Sequence, residues 1–167
     1  MHLAICDLYQ AKWTNDIHEE WIRNVLKDKP HLKYDQLQGI RSKMNENTRD
    51  CLINGYEPLI QNLFLPDPDD RHVLAAAIHA SASIIVTANI KDFPTSETSK
   101  YNIEAKHPDD FISELLDIAP GIICGAIKRL RTIFKNPKVS AEEYLEILTK
   151  QSLPKSARKL REFVSLI

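Results

Sequence analysis

The chain has few cysteines, no long hydrophobic run and no excess of charge of either sign. Its three cysteines, Cys6, Cys51 and Cys124, are widely spaced and form no C-x-x-C pair, which favours reduced thiols over a disulfide framework or a zinc site. No apolar run approaches the roughly 18 residues that span a bilayer, and the first ten residues lack the basic and apolar segments of a signal peptide. The sequence therefore predicts a cytoplasmic protein.

The charge balance excludes two broad classes of protein. Charged residues make up 27% of the 167 positions and the net charge is −1. The chain is therefore neither a disordered acidic tail nor a uniformly basic protein that coats nucleic acid. The distribution is nevertheless uneven. Residues 1–120 carry 12 Lys and Arg against 19 Asp and Glu, a net of −7, whereas residues 121–167 carry 10 against 4, a net of +6. Two electrostatically different regions share one chain.

The spacing of apolar residues and the positions of capping residues, proline and glycine predict two helices near the N-terminus. After a short candidate strand from Tyr9 to Trp13, Thr14 or Asn15 offers an N-cap for a helix that runs to about Lys29. A second helix is expected from about Lys33, with Asn54-Gly55 closing its continuation.

Residues 65–94 predict a helix, a strand and a loop, in that order. Asp67 followed by Pro68 is typical of an N-cap and first helical residue, and the unbroken apolar run from Ser83 to Thr87 is typical of a strand covered on both faces. Another strand around 102–106 and a helix from Pro108 to Asp117 follow, so the alternation predicts an α/β fold with a parallel sheet. After Pro120 only helices are expected, at about 122–135, 140–151 and 155–166. We therefore predict a domain over residues 1–120 and a helical extension over residues 121–167.

Acidic residues are placed where a parallel sheet binds its ligands, beyond the carboxyl ends of the strands. Asn89 and Asp92 follow one predicted strand, the pair Glu19-Glu20 follows another, and Asp67, Asp69 and Asp70 open the intervening helix. Two carboxylates about 4 Å apart repel by about 4 kcal/mol at an effective dielectric of 20, so a convergent cluster requires protons or a cation. Magnesium prefers such oxygen ligands and can activate water against a phosphodiester.

Each of these residues also has a purely structural interpretation. The three aspartates of residues 67–70 could simply cap a helix and favour its dipole, Asn89 could be a loop residue, and both glutamates could lie on a solvated helix face. Helical geometry does not choose between Glu19 and Glu20. His72 and His79 are more often packing or surface residues than ligands.

Several segments carry a family resemblance. The motifs D-P-D-D-R-H-V-L-A-A-A-I and I-V-T-A-N-I-K-D-F-P, within residues 67–94, closely resemble the PIN domain nucleases, and among them the VapC-like toxins of toxin-antitoxin pairs. The segment at 13–26 resembles the second strand and acidic helix of that family, and the region from H-P-D-D-F at 107–111 through the C-terminal helices resembles the extension of a VapC-like subgroup.

The resemblance implies a three-layer α/β/α domain that cleaves RNA, of the tRNA or ribosomal RNA class, with Mg²⁺ or Mn²⁺ and is restrained by a cognate antitoxin. Matched position by position, Glu20, Asp70 and Asp92 would be the metal ligands, with Asn89 completing the catalytic set. The predicted RNA-binding residues are Arg71, Lys91, Lys128, Arg129 and Arg131.

The chain departs from the family pattern at its start. Relatives begin with a strand ending in Asp-x-Asn, whereas Met1 here falls within what resembles the first helix, so the first strand and its metal-binding aspartate are expected to be absent. We accordingly expect the gap in the sheet to be filled by a second copy of the chain, by a complementing fragment or by rearrangement of the residues before Tyr9. The alternative function is a catalytically inactive PIN-like module that binds an antitoxin, RNA or such a fragment. A DNA-binding role for the basic C-terminal helices is weaker, because those cations could equally form a solvated face.

Overall fold

The computed structural model describes residues 4–6, 8–133 and 139–167, which contain α-helices and two short strands. The helices are α1 Asn15–Asp28, α2 Tyr34–Asn47, α3 Glu57–Ile60, α4 Arg71–His79, α5 Thr95–Thr98, α6 Pro108–Ile118, α7 Pro120–Ile133, α8 Ala141–Lys150 and α9 Pro154–Arg161. The strands are β1 Ile84–Val86 and β2 Glu104–Lys106. The predicted mixed α/β class is confirmed. None of the helices described is long and apolar enough to cross a membrane.

Helix α1 begins where its capping residue predicts. The Thr14 side chain accepts a hydrogen bond from the Ile17 amide at 3.1 Å, which satisfies one of the free N–H groups of the first turn. The helix ends at Asp28, two residues before Pro30, because the residue preceding a proline is disfavoured in the helical conformation.

Helix α2 is shorter than the sequence predicts, and its expected continuation to Asn54-Gly55 is wrong. It ends at Asn47, after which Asp50 adopts a left-handed conformation with φ of 48°. The following residues extend and pair with Trp13 instead, through bonds of 2.8 Å from the Trp13 amide to the Cys51 carbonyl and from the Ile53 amide to the Trp13 carbonyl.

The predicted strand from Tyr9 to Trp13 is likewise reduced to a single parallel bridge between Trp13 and Leu52. β1 and β2 form a separate two-stranded parallel sheet, flanked by bonds from the Glu104 amide to the Ser83 carbonyl and from the Thr87 amide to the Lys106 carbonyl. The parallel direction is as predicted.

β1 is not covered on both faces, contrary to the prediction from its unbroken apolar run. Ile85 is 5% exposed, whereas Val86 is 45% exposed. Apolarity alone cannot separate these cases, because alternate side chains of a strand point to opposite faces and only packing decides which face is covered.

Both tryptophans belong to one hydrogen-bonded chain of side chains. Trp21 Nε1 donates to His18 Nδ1 at 2.9 Å, so His18 Nε2 carries the proton and donates to Asn45 Oδ1 at 3.1 Å. Trp13 Nε1 donates to the same Asn45 oxygen at 2.8 Å. His18 is fully buried, and this desolvation lowers its pKa, which keeps the ring neutral.

The chain divides into two compact units. One comprises residues 10–85 and 89–105 and contains α1 to α5. Its core is apolar and centres on α4, β1 and the loop before α4; the buried members are Tyr56, Leu63, Leu65, Leu74, Ala75, Ala76, Ala77, Ile85, Phe93 and Ile103. Cys51 is also buried, with a free thiol, as predicted.

The other unit contains α6 to α9. Its core includes Leu115, Ile123, Tyr144, Leu145 and Leu160, and α6 packs against both α7 and α9. The fold within this unit therefore places α6 with the C-terminal helices, while the predicted domain boundary at residue 120 stays a prediction. The predicted C-terminal helices are all present within the described residues, although α9 ends at Arg161 and not near residue 166, and residues 134 and 135 of the first lie outside them.

Candidate metal centre

Three aspartates from two separated segments meet in the unit that contains α1 to α5. Asp67, Asp70 and Asp92 each offer a carboxylate oxygen, and these three oxygens lie within 4.8 Å of one another. Asp67 precedes the 3-10 turn Pro68–Asp70 before α4, and Asp70 is the last residue of that turn. Asp92 lies in the 3-10 turn Ile90–Asp92 after β1. The structure thus brings together two of the three predicted metal ligands, Asp70 and Asp92.

Sequence reasoning did not place Asp67 in the ligand set. Its side chain caps the 3-10 turn, as the Asp-Pro signature predicts, by accepting a bond from the Asp69 amide at 2.9 Å. A 3-10 turn has three residues per turn, so Asp67 and Asp70 also lie on the same side. The sequence signal that places Asp67 beside Asp70 was therefore present in the spacing, but it requires a 3-10 turn where an α-helix was expected.

The electrostatics of Asp70 reflect this crowding. Burial raises the pKa of the Asp70 carboxyl above its ordinary value, and the negative charges of Asp67, Asp92 and Glu20 raise it further. A bound dication would reverse this tendency by favouring the charged carboxylates.

The negative charge of Glu20 contributes to the raised pKa of Asp70, and the Glu20 side chain faces His72. Its Oε2 atom is 3.5 Å from His72 Nε2. Glu19 is instead engaged elsewhere: its Oε1 atom accepts from Arg41 Nη1 at 2.6 Å, and its Oε2 atom accepts from the Tyr34 hydroxyl at 3.3 Å. The structure thus distinguishes two glutamates that helical geometry alone did not: the charge of Glu20 acts on Asp70, whereas Glu19 pairs with Arg41.

Asn89 supports Asp92 directly, because its Nδ2 atom donates a hydrogen bond to Asp92 Oδ2. Asp92 is only 9% exposed, so this bond fixes a carboxylate that has little access to water. The two residues, which were predicted to follow a strand, are connected by the 3-10 turn Ile90–Asp92, which returns Asp92 beside Asn89.

The predicted RNA-binding residues fall into both units. Arg71 is the first residue of α4, directly after Asp70, and Lys91 is exposed in the turn that contains Asp92. Lys128 and Arg129 are exposed on α7 in the other unit, and Arg131 is partly buried there.

The three carboxylates fit a divalent cation by chemistry and by spacing. Magnesium binds oxygen ligands at about 2.1 Å, so ligands on opposite sides of one ion are about 4.2 Å apart. Oxygens within 4.8 Å of one another need only small side-chain movements, or an intervening water, to share such an ion. The cluster contains no sulfur or imidazole ligand, which favours Mg²⁺ or Mn²⁺ over zinc.

Comparison with known proteins connects this chain to VapC proteins. Residues 108–162, which include α6 to α9, match the family model described as the VapC50 C-terminal domain. The chain is also 38% identical over 92 residues to "Putative ribonuclease VapC50" of Mycobacterium tuberculosis, a match that covers 55% of this chain and 54% of that protein. The chain thus spans about half the length of this curated relative. No solved structure matches. The resemblance to VapC-like proteins that the sequence motifs indicate is confirmed.

Proposed function

We propose that this chain is a metal-dependent endoribonuclease toxin of a toxin-antitoxin system, which hydrolyses RNA phosphodiester bonds in the cytoplasm. The observation that carries the proposal is the convergence of Asp67, Asp70 and Asp92, since three crowded carboxylates require a cation and suit a hard one. The similarity to a relative that is named a ribonuclease supports RNA as the substrate class.

Each residue of the centre has a distinct part in this proposal. Asp67, Asp70 and Asp92 would hold Mg²⁺ or Mn²⁺, and the ion would supply activation of water and stabilisation of the phosphate charge. Asn89 orients Asp92 through its hydrogen bond. Glu20, whose charge acts on Asp70, would accept a proton or hold a metal-bound water, with His72 fixing its position.

The proposal extends to partners. A cognate antitoxin would restrain the nuclease, and the RNA substrate would belong to the tRNA or ribosomal RNA class. A second copy of the chain or a complementing fragment would supply further strand pairing beside the Trp13–Leu52 bridge and the two-stranded sheet.

Cleavage of a 5′-labelled RNA pool, with Mg²⁺ or Mn²⁺ and with a chelator, tests the proposal. We expect the wild-type chain to cleave the RNA with Mg²⁺ or Mn²⁺ and not with the chelator, and the Asp70→Asn variant to lose this cleavage. Asp69→Asn is a matched control, because Asp69 is exposed, adjacent and outside the carboxylate group. RNA binding without cleavage under any metal condition would instead establish the inactive binding module, and equal activity in the two variants would refute the proposed centre.

A further inference from the structure

One aromatic side chain beside the acidic segment is held outside the core. Phe64 is 70% exposed, whereas its neighbours Leu63 and Leu65 are 4% and 7% exposed and belong to the apolar core. The two leucines anchor the backbone on both sides, so the outward position of Phe64 follows from the local structure and not from a loose loop. Single exposed apolar side chains are common on protein surfaces, so the significance of this ring depends on the groups beside it.

A cation lies against the same ring. The guanidinium carbon of Arg71 is 6.0 Å from the centroid of Phe64, within the range of a cation–π contact. Arg71 Nε is shielded from solvent and has no hydrogen-bond partner among the described residues. A buried donor without an acceptor is unusual, and a water or a ligand oxygen could satisfy it.

This pair is next to the carboxylate cluster in the sequence. Arg71 directly follows Asp70, whose carboxylate is one of the three that meet. A ligand that contacts both Phe64 and Arg71 would combine a flat apolar face with an anionic oxygen.

We propose that Phe64 and Arg71 form a nucleotide subsite, in which the Phe64 ring stacks on an unpaired base and the Arg71 guanidinium binds the adjoining phosphate. This inference rests on the proposed function and deepens it, because it assigns base stacking to Phe64 and phosphate binding to Arg71. A base can stack on a protein ring only when it has left its own stack, so loops and unpaired ends bind and continuous duplex does not. The exposed ring alone would also suit a protein partner, but the adjacent arginine and metal-binding carboxylates favour a nucleotide.

Binding measured without cleavage tests this subsite. Fluorescence anisotropy with a labelled single-stranded RNA hexamer, and with a blunt duplex of the same sequence, would be recorded in a chelator. We expect Phe64→Leu to weaken single-strand binding about tenfold, as base–aromatic stacking predicts, and Phe64→Tyr to retain it. Tyr101→Leu is the matched control, since Tyr101 is a 39% exposed aromatic residue of the same unit. Arg71→Gln should weaken binding and reduce its dependence on salt, whereas Arg71→Lys should keep part of both.

A spectroscopic signature distinguishes stacking from a general loss of structure. In Phe64→Trp the added indole should lose emission when the single-stranded hexamer binds, while a Tyr101→Trp variant should not. Equal RNA affinity in wild type and Phe64→Leu would overturn the subsite and leave the ring as a contact for a protein partner.

Metal titration separates this inference from the proposed function. If Phe64→Leu loses RNA affinity while no variant cleaves RNA and no Mn²⁺ binds, the subsite stands and the nuclease proposal fails. If RNA is cleaved with metal but Phe64→Leu binds and cleaves as the wild type does, the nuclease stands and the subsite fails. Absence of any RNA binding by the wild type would refute both.

Discussion

Asp109 accepts hydrogen bonds of 2.8 Å from the backbone amides of Ser156 and Lys155, so a residue of α6 caps the first turn of α9 across 47 positions of sequence. Leu153, the residue that precedes α9, has an apolar side chain that cannot accept a capping hydrogen bond. The Asp109 carboxylate is 3% exposed and also favours the positive end of the α9 dipole. Although burial by itself raises the pKa of Asp109, these hydrogen bonds outweigh it and hold the pKa below its ordinary value.

Asp109→Asn should destabilise the unit that contains α6 to α9. The change removes the charge from two charge-assisted bonds, and the expected loss is about 1 to 3 kcal/mol of unfolding free energy. Asp110→Asn is the matched control, because Asp110 forms an exposed ion pair with Lys155 and exposed pairs contribute about 0 to 1 kcal/mol. Urea unfolding followed by far-UV circular dichroism measures both. Equal losses in the two variants would contradict the capping role of Asp109.

The same carboxylate should make stability depend on pH in a defined direction. Because its pKa is lower in the folded protein, its contribution is complete above its unfolded pKa of about 3.9 and disappears as pH falls through the folded value. The stability difference between wild type and Asp109→Asn should therefore be constant from pH 5 to pH 7 and narrow below about pH 4. A difference that widens toward low pH would be inconsistent with a lowered pKa.

Asp67→Asn should separate the two roles of Asp67. Asparagine caps a helix about as well as aspartate, so the free energy of unfolding should change by less than about 0.5 kcal/mol. Metal affinity should fall about tenfold, equivalent to about 1.4 kcal/mol, because one anionic ligand is lost. Calorimetric titration with Mn²⁺, beside thermal unfolding, measures the two effects. Unchanged metal affinity would return Asp67 to a purely capping function.

Glu20→Gln should affect metal binding more than Glu19→Gln does. Glu20 faces His72 and influences Asp70, whereas Glu19 forms its ion pair with Arg41. Loss of that exposed pair should cost at most about 1 kcal/mol of stability and leave metal affinity intact. The same Mn²⁺ titration compares the variants, and the opposite order would overturn the choice of Glu20.

If RNA also contacts α7, the double substitution of Arg129 and Arg131 by Ala should flatten the salt dependence of RNA binding. Each lost single-strand phosphate contact lowers the slope of log affinity against log salt by about 0.7. The matched control is a double substitution of Arg23 and Arg49 by Ala, which removes two exposed cations from the other unit. An unchanged slope in the first variant would assign α7 to packing or antitoxin binding.

Features encoded within a few residues were predictable from the sequence. The Thr14 cap and the helix from Pro108 depend on local hydrogen bonds whose donors and acceptors are close in the chain, and Asn89 and Asp92 follow a strand as predicted. The helix predicted within residues 65–94 is present as α4, although a 3-10 turn stands where its first turn was expected.

Features that depend on packing between distant parts of the chain were not predictable from the sequence. The single bridge at Trp13 is set by residues near Leu52, and the exposure of Val86 is set by what covers β1, so neither could be read from its own segment. The choice between Glu19 and Glu20 required Arg41 and His72 to be placed in space. Asp67 was missed for a different reason, since its second role depends on the type of turn.

The hydrogen-bonded chain from Trp21 through His18 and Asn45 to Trp13 makes the intrinsic fluorescence of this protein selective. These are its only two tryptophans, and both lie in the unit that contains α1 to α5. Indole emission therefore reports the unfolding of that unit alone, while far-UV circular dichroism also follows α6 to α9. Coincident transitions in the two signals would show that the whole chain unfolds as one cooperative system, and separated transitions would give each unit its own stability.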